Sequence, residues 1–251
     1  MVEIDFYQRL IEKFSWDNKP LLLASGITYV VGYLQYVYVI RLSLREGKGP
    51  MPFWMHSFYL AHDSTWSYIL GSAATRYEGH WFLRGTSTAL LAWSCLEIYC
   101  IHRAITRDRE AEFATTFSTQ FNLRSVIMYA IAIQLAMYVV VLLGIMVMGE
   151  QCMMQWFSLT NVLIVIGPTH EYLRRGSRRG LSLGLCILNI IGTIWTFAPF
   201  GFWVLTIPEI FDNSTYYISG IILTIYALWE FYVVAKYPPK FQGINKPAPI
   251  W

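Results

Sequence analysis

Three carboxylic acids stand inside apolar stretches of this chain, and any chemistry must be sought around them. Asp63 lies in MPFWMHSFYLAHDSTWSYILG, from Met51 to Gly71, with His56 and His62 close by. Glu97 lies in LLAWSCLEIYC and Glu230 in LWEFYVV. An acid at bilayer depth costs at least roughly 2.5 kcal/mol on insertion, so such residues face a cavity or a partner and tend to mark function. Spacings of three and four place His56, Tyr59, Asp63, Trp66 and Leu70 on one helical face, and Tyr226, Glu230, Val233 and Tyr237 on another. Trp229 flanks the second acid. A ring-lined acid is costly to ionise, and a proton-carrying Asp63 would be a strong local acid. Rings around it would stabilise a carbocation by roughly 0.5 to 2 kcal/mol each through cation-π attraction. The chemistry implied is delivery of a proton to an apolar substrate and its later removal. The competing reading is architectural: Asp63 bonds His56, His62 or a nearby hydroxyl to fix packing, and Glu97 pairs with His102 or Arg103.

The elements that must hold these acids follow from composition. The 251 residues are 55% hydrophobic, 17% aromatic and only 14% charged, with a mean hydropathy of +0.41, far from an average soluble domain. The pattern predicts an all-α polytopic membrane protein, a bundle of seven transmembrane helices in one domain over 1–251. Residues 1–20 read as an amphipathic segment that can lie along the interface. They are too polar and acidic for a cleaved signal peptide, so the first span is expected to act as the signal. The spans expected are about Leu21 to Ile40, Phe53 to Ala74, Gly85 to Ile101, Ser125 to Met148, Met154 to Pro168, Leu181 to Leu205 with a kink at Pro199, and Tyr216 to Val234. The fifth is the shortest and ends at Gly167-Pro168. The connection over 102–124 is long, rich in charge and hydroxyls, and expected to be part helical.

Seven spans put the termini on opposite sides. The Arg174 to Arg179 run and most other cations fall on one side, against Arg9, Lys13, Lys19, Arg76 and Arg84 on the other. The positive-inside rule then makes the C-terminus cytosolic and the N-terminus lumenal. It also sets Asp63, Glu97 and Glu230 at depths of about 15, 6 and 9 Å from the cytosolic side, at 1.5 Å of rise per residue. A shared cavity open to the cytosol is geometrically possible. The basic run reads as an orientation signal and lipid contact, with a phosphorylated head group as the alternative. The sequon Asn213-Ser214-Thr215 falls in a lumenal loop, where glycosylation is possible.

The cations sit in loops and imply no nucleic-acid partner. Cys95, Cys100, Cys152 and Cys186 have no CxxC spacing, so buried packing is expected rather than disulfides or zinc. The five histidines fall short of a di-iron oxygenase cluster. No DDxxD-like or DxDD arrangement exists, which removes the usual magnesium-diphosphate site and the soluble protonating motif. No metal site and no cofactor are expected.

Asp63 in AHDSTW on the second span and Glu230 in LWEFYVV on the last resemble the acid pair of the fungal integral-membrane terpene cyclases of meroterpenoid and indole-diterpene biosynthesis. That family carries a Glu in span two and an Asp in the last span, so the two acids are exchanged in kind here. The resemblance implies a membrane terpene cyclase that protonates an epoxide or alkene of a lipophilic prenylated substrate and deprotonates the resulting carbocation. It also implies a multi-pass protein of the endoplasmic reticulum working beside a pathway prenyltransferase and epoxidase. On it, Asp63 is the proton donor and Glu230 its partner or the final base. His56, Tyr59, His62, Trp66, Glu97, Tyr226 and Trp229 contribute to the substrate cavity. Two other readings use the same acids: a sterol-isomerase-like proton shuttle, and a non-enzymatic lipid-binding protein or small transporter. A transporter is expected to show paired halves and an acid reachable from both sides, and neither pattern is evident in the sequence.

Overall fold

A backbone in hydrocarbon must satisfy its own hydrogen bonds, and a helix does so within a single segment. The computed structural model describes residues 6–114, 117, 122–240 and 250–251, and among these every regular element is helical. In chain order they are α1 (Phe6–Lys13), α2 (Lys19–Glu46), α3 (Phe53–Arg76), α4 (Trp81–Thr106), α5 (Arg109–Phe113), α6 (Leu123–Met148), a 3-10 turn (Glu150–Cys152), α7 (Met153–Arg175), α8 (Leu183–Phe197), α9 (Phe202–Thr206), α10 (Pro208–Phe211) and α11 (Ser214–Lys236). Five segments are long and apolar enough to cross a membrane: α2, α6, the turn with α7, α8 with α9, and α11. This is a membrane protein by length and composition. The long helices α3 and α4 are not among the five, because they carry the polar residues.

The chain divides into two compact units, one made of residues up to Leu22 with Phe53–Phe157, the other of Leu23–Pro52 with Ser158–Trp251. In the first, α3 and α4 pack along much of their length. Small residues let them approach: Ser67 Oγ donates to Ser87 O at 2.8 Å and Ser87 Oγ donates to Ser67 O at 2.7 Å. Paired hydroxyls of this kind tie two closely approaching helices together. Gln134, the polar residue inside α6, donates to Ser57 O at 3.1 Å, and Ser64 Oγ meets Tyr138 Oη at 2.9 Å. Gly144 on α6 faces the indole of Trp156 so closely that a Cβ would clash with it. The 102–124 connection contains α5, which seats Phe113 on Phe53 and Tyr129; residues 115–116 and 118–121 of that expectation lie outside the described residues. The N-terminal helix is packed on this unit as well. Tyr7 Oη donates to Glu150 Oε2 at 2.7 Å, and Trp16 stacks on Trp81 at 4.7 Å.

In the second unit, two proline expectations change. Pro168 does not end the fifth span but sits inside α7, which continues to Arg175. Proline lacks the N–H that would bond Ile164 O four residues back. Asn189 of α8 takes over, its Nδ2 donating to Ile164 O at 3.5 Å. At Pro199 the chain breaks rather than kinks: α8 ends at Phe197 and α9 begins at Phe202. Gly201 lies in that break against the carbonyls of Trp195 and Ala198, where no side chain fits. Gly220 on α11 abuts Phe197 in the same way.

Candidate functional site

In the first unit the acids come in histidine pairs. His62 Nδ1 and Asp63 Oδ1 share a hydrogen bond of 2.7 Å, and His56 Nδ1 and Glu97 Oε2 share one of 2.5 Å. Asp63 is 5% exposed and Glu97 0%. The heptad-like spacing explains the placement, because positions 56, 59, 63 and 66 follow the buried face of α3 that meets α4. Glu97 thus meets His56 inside the helix pair, where the sequence alone points to His102 or Arg103. His102 is exposed, and Arg103 Nε donates to Asp108 Oδ2 at 2.7 Å. Tyr59 is buried within electrostatic reach of both Asp63 and Glu97.

Aromatic rings enclose the His62–Asp63 pair. The His62 ring lies 6.0 Å from Phe58, 6.1 Å from Trp156 and 5.6 Å from Phe157, and Phe157 meets Trp66 edge-on. Ser57 Oγ, His62 Nε2 and Trp66 Nε1 are buried without a hydrogen-bond partner among the described residues. A buried polar atom without a partner costs about 1 to 3 kcal/mol, and His62 and Trp66, four residues apart on one face of α3, suit a site that receives a polar group. Phe58, Trp156 and Phe157 escaped the sequence reading, since only the fold brings α7 to α3. Cys100 was read as packing. Its position three residues after Glu97 puts both on one face of α4, and the spacing could have shown that.

The second unit holds Glu230, 1% exposed. Its Oε1 lies 3.8 Å from Cys186 Sγ, Thr169 and Asn189 also face it, and Oε2 has no partner among the described residues. Tyr172 Oη is buried and equally without a partner. Asn189 Oδ1 accepts from Gln35 Nε2 at 3.0 Å, so the acid belongs to a neutral polar network beside the Pro168 site. Tyr226 is half-buried, and Trp229 is 42% exposed on the outside of its helix with its ring 5.6 Å from that of Tyr226. The structure brings Glu230 together with Cys186, Asn189 and Thr169, not with the indole of Trp229.

The basic run has partners of its own. Arg174 and Arg175 both donate to Glu171 Oε2, at 2.8 and 2.9 Å. Arg178 donates through Nε to Val234 O at 3.0 Å and through Nη2 to Ala235 O at 2.6 Å, capping the last carbonyls of α11. Cations at a helix C-terminus satisfy both the orphan carbonyls and the dipole. Asn213 caps the other end of α11, accepting from Tyr216 N at 3.0 Å and donating to Ile210 O at 2.7 Å. Its amide already serves the fold, which a glycan on Nδ2 would disturb.

The chain matches no family model, and no curated protein or solved structure is significantly similar to it.

Proposed function

We propose that this protein is a membrane terpene cyclase that starts its reaction with a proton from Asp63. The observation that supports this best is the buried His62–Asp63 pair enclosed by Phe58, Trp66, Trp156 and Phe157, with His62 Nε2 left for a further partner. The proton passes from the Asp63 carboxyl to the oxygen of an epoxide, or to an alkene carbon, of a prenylated substrate. The C–O bond opens, or the alkene π bond is spent, and the neighbouring alkene closes the ring. The rings stabilise the cation that moves along the chain. Loss of a carbon-bound proton to a carboxylate ends the sequence. Glu230 carries the second acid of the resemblance to the fungal membrane cyclases. No metal enters this scheme. In this reading α3 and α4 join the five apolar segments as spans. The resulting seven put the N-terminus in the lumen and the C-terminus in the cytosol, in the endoplasmic reticulum.

An acid and a base side by side also suit a sterol isomerase that moves one proton within an apolar substrate, and the same assay separates the two. Microsomes holding the chain receive an epoxy-prenylated aromatic substrate and, in parallel, a Δ8-sterol. Cyclised product from wild type, reduced roughly 100-fold or more in Asp63→Asn, is expected from the usual weight of a positioned acid. Unchanged turnover in Asp63→Asn sinks the assignment, and sterol turnover alone selects the isomerase.

A further inference from the structure

His56, Glu97 and Cys100 place one nitrogen, one oxygen and one sulfur donor within 4.8 Å of one another, and all three residues are buried. Glu97 and Cys100 stand three residues apart on α4, so their side chains project from one face. His56 reaches them from α3. The Ser67 and Ser87 hydrogen bonds hold that helix pair together. From this geometry we propose that His56, Glu97 and Cys100 bind a single divalent ion of the zinc class, a site independent of the cyclisation chemistry.

Charge and ligand type both favour such an ion. A carboxylate, a thiolate and a neutral imidazole carry two negative charges, which a divalent cation cancels. Neutrality matters at a site this buried. Mixed nitrogen, sulfur and oxygen donors suit borderline zinc, whereas magnesium and calcium take oxygen. Tetrahedral zinc needs bonds of about 2.0 to 2.3 Å and donors about 3.3 to 3.8 Å apart. The His56 and Glu97 atoms must part from their 2.5 Å contact to reach that spacing, which rotation of either side chain allows. Metal binding displaces the proton shared by His56 and Glu97 and the thiol proton of Cys100. Three protein ligands leave a fourth position for water. Tyr59 lies within electrostatic reach of Glu97, and Arg103 within reach of Cys100.

The full chain, purified in detergent without chelator, is tested by elemental analysis and by exchange with cobalt(II). We expect close to one zinc per chain in wild type and in Asp63→Asn, with roughly a tenfold or greater loss in Cys100→Ala and His56→Ala. Cobalt added to the chelator-stripped wild type should produce a thiolate-to-cobalt charge-transfer band that Cys100→Ser lacks. The spectrum of wild type needs no variant to fold, so it stands if a substitution unfolds the protein. Wild type without stoichiometric metal and without that band overturns the site, as does equal metal in wild type and a folded Cys100→Ala. Loss of cyclase turnover in Asp63→Asn with metal retained would separate the two assignments.

Discussion

The buried acids of the two units are solvated in opposite ways. Asp63 and Glu97 each have an imidazole at hydrogen-bond distance, a partner that can take or return a proton. Glu230 is equally buried, yet the polar groups facing it among the described residues are Cys186, Thr169 and Asn189, none of them cationic. Burial does not by itself distinguish these acids; the neighbour does. A carboxyl beside a histidine has a partner that can share its proton. A carboxyl in a neutral network beside a proline-freed carbonyl has a ready architectural explanation, since Asn189 serves both that network and Ile164 O.

Substitutions can break this contrast. Glu97→Gln removes the ionisable partner of a buried imidazole and should cost roughly 3 to 5 kcal/mol, as breaking a buried pair does. It is read as a lowered unfolding midpoint in detergent micelles. Asn189→Ala leaves Ile164 O and Gln35 Nε2 unpaired, for an expected loss of about 1 to 3 kcal/mol in the same assay. Glu230→Gln keeps shape and hydrogen-bonding capacity among neutral partners and should change stability by about 1 kcal/mol or less. Equal losses for Glu97→Gln and Glu230→Gln would erase the contrast. A large loss of turnover in a stable Glu230→Gln would instead make the neutral network a catalytic one.

Hydrophobic runs of membrane length are visible in any hydropathy reading, because a span must be apolar over its full length whatever its neighbours. The sequence by itself therefore determined the helical class, the approximate bounds of α6 and α11, and the three acids that stand out within apolar stretches. The periodic face of α3 was also legible, since helical spacing is local. Partner choice was not. The pairing of Glu97 with His56 depends on the contact of α3 with α4, which residues 67 and 87 allow and no local rule encodes. Pro168 read as a terminus because proline usually ends helices, and only a donor from α8, Asn189, lets α7 continue through it. The basic run read as an orientation signal and lipid contact, yet Arg178 also caps a helix whose end lies 56 residues away in sequence. Local chemistry sets which groups need a partner, and tertiary structure decides which group answers, because those contacts join residues that no short-range pattern links.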